Sequence, residues 1–183
     1  MAWPAVTLNL MQTGNALLDT FFIQGLPPAN ATAASGATTS IFLFMNLAFA
    51  LGVAVTALVS RAFGANERAE LREACRHGVA TSALAGLAVT VLAIALVPIL
   101  THLQIPSGNF EAARLMRSYV SGLAGGLPAV FVIQSLAGAM RGIGDTRSPM
   151  RISGLQIVIH AALNAWWVPA PGSMPFATLG WGI

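Results

Sequence analysis

Five long apolar stretches run through this chain and restrict it to a membrane-spanning helical fold. They cover about residues 4–26, 35–60, 79–100, 111–140 and 149–168. A helix needs about 20 apolar residues to cross the hydrocarbon core, and every stretch is long enough. Only 8% of residues are charged, against about 25% in a soluble domain. So little charge cannot cover a water-facing surface, so lipid must be the main solvent. The fold class expected is an all-α polytopic membrane protein with about five transmembrane helices.

Arginine placement orients the spans. All nine basic residues are Arg. Seven lie in two connections on one side: Arg61, Arg68, Arg72 and Arg76, then Arg141, Arg147 and Arg151. Arg114 and Arg117 lie at the start of the fourth span. The positive-inside rule places the N-terminus and the connections at about 61–78 and 141–148 in the cytoplasm of a plasma (inner) membrane protein. Arginines spread between spans do not form a nucleic-acid-binding face. The N-terminus lacks the basic region and cleavage site of a signal peptide, so it reads as a mature helix. A single cysteine, Cys75, rules out an internal disulfide and a multi-Cys metal site. Residues 66–77 read as a short surface helix capped by Asn66, with Glu67 and Arg76 complementing its two ends. Pro27, Pro28, Pro98, Pro106, Pro169 and Pro171 fall at or beyond span ends, where they stop helices.

Asp19 is the only acid inside an apolar stretch; Glu67, Glu70, Glu73, Glu111 and Asp145 lie at edges or between spans. A carboxylate at mid-membrane costs roughly 2.5–3.5 kcal/mol on insertion scales. Such a group faces a protein interior or a wet cavity and serves a proton, a cation or a basic partner. Gln12, Asn15 and Asp19 share one face of the first span, and Ser153, Gln156, His160 and Asn164 share one face of the fifth. Lipid cannot satisfy either ladder, so the two are expected to face each other or water. The expected site is a proton or cation site with Asp19 as charged ligand and Asn15 and Asn164 as neutral oxygens, which suit sodium. For the amides alone, interhelical hydrogen bonding is the competing explanation. His160 is either a packing residue or a proton relay. Gln12, Gln156 and Asn46 are candidate cavity-lining residues.

Pro4 either opens the first helix harmlessly or, within a longer helix, permits a kink. Gly142, Gly144, Asp145, Ser148 and Pro149 form a tight turn in which Gly142 ends one helix, Ser148 caps the next and Pro149 suits its first turn. No Walker-type pattern or nucleophile–base set is present, so no enzymatic activity or cofactor is expected.

The chain resembles the multidrug and toxic compound extrusion (MATE) transporters, with its nearest likeness in the bacterial DinF-like branch. The resemblance rests on WPA at 3–5 followed by LDT at 18–20, on LVSRAFGAN at 58–66, and on RGIGDTRSPM at 141–150. It implies twelve helices in two lobes, and export of drugs, organic cations or metabolites in exchange for protons or sodium. It implies that Asp19 is the coupling carboxylate, that the first helix bends near Pro4, and that Asn164 is the polar residue of the fifth helix. His160 stands where many members have Asn, which leaves proton and sodium both open. Members are more than twice as long as this chain, and LGWG at 179–182 is similar to the entry of a sixth helix. The chain is therefore expected to be most of an N-terminal lobe, a fragment or truncated form lacking the C-terminal lobe. Its expected partners are the bilayer, a cationic or amphipathic small molecule and that missing lobe. A flippase for lipid-linked substrates would favour arginines inside its cavity, and here they read as lying outside the spans. A non-transporting membrane segment is the other alternative.

Overall fold

The computed structural model describes residues 27–167, with side chains to 163, and residues 6, 7, 10, 11, 13, 14 and 17 of the first stretch. Five helices follow that stretch: α1 (Pro28–Gly64), α2 (Arg68–Gln104), α3 (Phe110–Ala124), α4 (Leu127–Gly142) and α5 (Arg147–Trp167). No strand occurs among the described residues. α1 and α2 are long and apolar enough to cross a membrane, and α3 with α4 passes as one bent span. Large apolar side chains point outward, including Phe42, Leu84 and Val91, each more than two-thirds exposed. In water that surface would aggregate; in a bilayer it is the solvated surface.

α1 and α2 are longer than hydropathy predicts. α1 and α2 each have 37 residues, about 55 Å at 1.5 Å per residue, against a core about 30 Å thick. Arg68 to His77 is therefore the first part of α2 and not a separate surface helix. Arg76 consequently lies in a helix interior. Asn66 does not cap that helix; it ends the preceding one. Its φ is 57°, and its N–H donates to the Phe63 carbonyl while the Glu67 N–H donates to the Ala62 carbonyl. This pair of bonds closes a helix through one left-handed residue. The same device follows α4: Gly144, at φ 85°, donates to Arg141 and Asp145 donates to Met140.

Two of the prolines behave differently from expectation or from each other. Pro28 lies in the first turn of α1, where its missing N–H costs nothing. Pro98 lies inside α2 and does not end it. Its neighbours Val97 and Thr101 are buried, and the Thr101 hydroxyl donates to the Val97 carbonyl at 2.7 Å, so packing carries the helix past the lost bond.

Backbone approach between α1 and α4 organises the bundle. A Cβ on Gly138 would overlap the Gly52 carbonyl oxygen, and one on Gly52 would meet the Gln134 carbonyl oxygen at 2.8 Å. Further along, a Cβ on Gly142 would lie 2.7 Å from Val59 Cγ1. Small residues permit this approach, which is how membrane helices gain dispersion contact without a hydrophobic drive. The Thr56 hydroxyl lies at the crossing, 2.8 Å from the Gly52 oxygen and 3.0 Å from the Gly138 oxygen.

The α3–α4 span is bent by 48° at Gly125 and Gly126. Pro128 has no N–H, so the Ala124 carbonyl loses the donor four residues on. Thr90 of α2 supplies a replacement, its hydroxyl 3.0 Å from the Ala124 oxygen and 2.9 Å from the Gly86 oxygen. Gly86 lets α2 come that close, since a Cβ there would lie 2.6 Å from Pro128 Cα. Towards the other end, Gln104 donates to the Ser40 hydroxyl at 2.9 Å, above a core of Ala33, Ala37, Val97, Ala112, Met116 and Val120. Ser82 and Ser135 hydroxyls are buried with no hydrogen-bond partner.

Two outcomes test this packing. Gly138→Val should lower folding stability in detergent by about 2 kcal/mol or more through overpacking, whereas Gly122→Val, with open space around it, should change thermal unfolding little. Thr90→Val should cost about 1 kcal/mol, within the range for interhelical hydrogen bonds, and Thr90→Ser should recover most of it.

Candidate functional site

α5 is set by the turn before it. Asp145 Oδ1 accepts from the Arg147 N–H at 3.1 Å and from the Ser148 N–H at 3.0 Å. Asp145 therefore caps α5, and Ser148, read as the cap from sequence, is inside its first turn. Pro149 is buried in that turn. The Asp145 carboxyl is held below the usual carboxylate range, chiefly by the Ser148 hydroxyl and N–H; the Arg147 N–H and the Arg151 charge act the same way.

Beyond its cap, α5 presents a half-buried face of Ser153, Gly154, Ile157, His160 and Ala161. Within the described residues this face meets the first stretch. A Cβ on Gly154 would lie 3.6 Å from Met11 Cε, and Met11 is half-buried. The first stretch and α5 are thus neighbours at this level.

The individual residues divide clearly. Ser153 and His160 lie on the covered face, and Gln156 is exposed at its edge. Asn46 is exposed, and its amide donates to the Phe42 carbonyl of its own helix at 2.7 Å; it does not line the interior of the described bundle. Pro4, Gln12, Asn15 and Asp19, and the side chain of Asn164, lie outside the described residues.

Arg141 is the residue that sequence reading misplaced. It belongs to α4 and not to the connection after it, and its guanidinium runs back along the helix to within 3.5 Å of where a Gly52 Cβ would be. Gly52 lies twelve residues before the end of α1, about 18 Å along the axis. Gly52 has no side chain and leaves room for that long side chain over the crossing. This charge lies within the helix pair, so the arginines are not all outside the spans.

The MatE family model matches residues 4–166. The chain belongs to the MatE family. Among relatives, it is 29% identical over 164 residues to a probable multidrug resistance protein NorM of Bradyrhizobium diazoefficiens, covering 89% of this chain and 34% of that protein. It is 28% identical over 173 residues to the Rhodopseudomonas palustris NorM, covering 90% and 36%, and 26% identical over 168 residues to that of Thermotoga maritima, covering 90% and 35%. The chain thus spans about a third of the length of these relatives. All three are NorM proteins, and the narrower likeness to the DinF-like branch gains nothing from them.

Two solved structures share the fold. One is a MOP superfamily transporter from Pyrococcus furiosus, described as having a binding pocket of reverse polarity that suggests a different function; its TM-score is 0.85 at 23% identity. The other is an outward-facing multidrug resistance MATE family transporter, with a TM-score of 0.79 at 24% identity. Each match covers 100% of this chain and 38% of the other. The chain therefore shares its fold with part of each of these two structures.

The α5 cap yields a pH prediction. The folded carboxyl of Asp145 titrates below its unfolded value of about 3.9. Its contribution is therefore complete above that value and is lost as pH falls through the lower folded value. Hydrogen-exchange protection at Arg147 and Ser148 should stay constant from neutrality to about pH 4 and drop below it; in Asp145→Ala it should be low throughout.

Proposed function

We propose that this chain is most of the N-terminal lobe of a secondary active antiporter that exports organic cations, drugs or metabolites in exchange for protons or sodium. Membership of the MatE family and the likeness to NorM proteins support the efflux role. The contact between Met11 and Gly154 supports the proposed mechanism, because it makes the first stretch a neighbour of α5. A second lobe completes the transport path.

Asp19 is the coupling group in this reading, with Asn15 and Asn164 supplying neutral oxygens and His160 on the opposing face. A proton or sodium ion entering the site neutralises Asp19, changes its contacts with the two ladders and releases a cationic substrate. Return of the carboxylate restores the substrate site. Pro4 supplies the bend that lets the first helix change its contacts. The Arg-rich ends face the cytoplasm of the inner membrane.

The energetic scale is adequate. A potential of 100 mV is worth about 2.3 kcal/mol per charge moved, enough for a gradient of roughly fifty-fold. Asp19→Asn, made in the complete coding region, should reduce the potential-driven concentration ratio from about fifty-fold towards unity in vesicles, while membrane insertion is retained. Undiminished gradient-driven efflux in that variant would exclude Asp19 as the coupling group.

A further inference from the structure

The coupling scheme leaves one large feature unused. At the end of the bundle away from Asn66 and Gly144, the turn between α2 and α3 lines an open cavity of about 720 Å³. That volume lies within the range of about 300–1,000 Å³ typical of small-molecule sites. Most of its lining is apolar, from Ile99, Leu103, Ile105, Phe110 and Ala113, with Arg117 at one side. No carboxylate is among its lining residues.

Arg117 is unusual in this setting. It lies seven residues into α3, about 10 Å from the helix start. Side chains of an α-helix lean towards its N-terminus, which carries the guanidinium over the cavity. Among the described residues it forms no ion pair and no hydrogen bond. The nearby helix start adds positive potential: Asn109 Oδ1 takes the Ala112 N–H, and the N–H groups of the first turn have no intrahelical acceptor. Glu111, exposed on the same turn, does not line the cavity.

Apolar walls continue out of this cavity onto an exposed apolar surface. Phe110 is 84% exposed and Leu103 is 77% exposed, on either side of the turn. A ligand that matches the whole feature has an anionic head for Arg117 and a hydrocarbon chain for Ile99, Leu103 and Phe110. We infer that the α2–α3 turn is a binding site for an anionic phospholipid, its phosphate on Arg117 and the upper part of an acyl chain in the apolar cavity. A soluble anion would leave the apolar walls unused, and a zwitterionic lipid would bring a cation against the guanidinium.

Lipid retention by native mass spectrometry tests the assignment, on protein expressed from its complete coding region and reconstituted in equimolar phosphatidylglycerol and phosphatidylcholine. The protein should carry phosphatidylglycerol in preference, and Arg117→Gln should lower that preference about fivefold. Arg114→Gln removes an exposed charge outside the cavity and should change it less than twofold. Ala113→Leu, which keeps the charge and fills the cavity, should also lower retention, and it serves if Arg117→Gln does not fold. Equal losses in the two arginine variants would mean general surface charge and would overturn the site. So would full retention in both Arg117→Gln and Ala113→Leu, or displacement of the lipid by free glycerol phosphate at matched concentration.

Discussion

The close crossing of α1 and α4 is the constraint on which the rest of the bundle depends. In hydrocarbon, a backbone carbonyl without a donor is costly, and apolar side chains gain little by leaving lipid for one another. Gly52 and Gly138 remove the side chains that would keep the two backbones apart. Thr56 then puts one hydroxyl against carbonyls from both helices. With α4 fixed against α1, the bent span brings Ala124 to Thr90, and the turn after Gly142 launches α5. α5 in turn defines which face the first stretch can meet.

Five hydroxyls inside the spans follow one rule. Thr38, Ser40, Thr56, Thr90 and Thr101 each donate to the carbonyl four residues earlier on their own helix. Two of them, Thr56 and Thr90, also reach a neighbouring helix. These two are at glycine-lined crossings, where a second carbonyl is within range. The same short side chains thus satisfy one helix internally and, at close approach, fasten two together.

The membrane-spanning helical class was legible because it rests on stretch length and scarcity of charge. Helix ends were less so. Residues 66–77 carry enough charge to look like a separate element, yet a helix extending beyond the bilayer is as well solvated as one lying on it. Asn66 has the chemistry of an N-cap and also tolerates positive φ; only its backbone shows that it closes α1. Pro98 looks like a stop, because proline removes a donor, but burial of Val97 and Thr101 outweighs that loss. Gly52 and Arg141 are 89 positions apart in the chain, and spacing along one helix cannot show that one makes room for the other. The ladder on α5 was legible in part: Ser153 and His160 share the covered face, while Gln156 falls outside it because three residues advance a helix by 300° and not a full turn.

The proposed coupling needs the first stretch to lie against the covered face of α5. A short thiol cross-linker measures this directly. With Cys75→Ser as background, Met11→Cys paired with Gly154→Cys should cross-link in high yield in native membranes. Met11→Cys paired with Val158→Cys, on the exposed side of α5, should not. Equal yields from the two pairs, or a preference for Val158, would separate the first stretch from the His160 face and contradict the account.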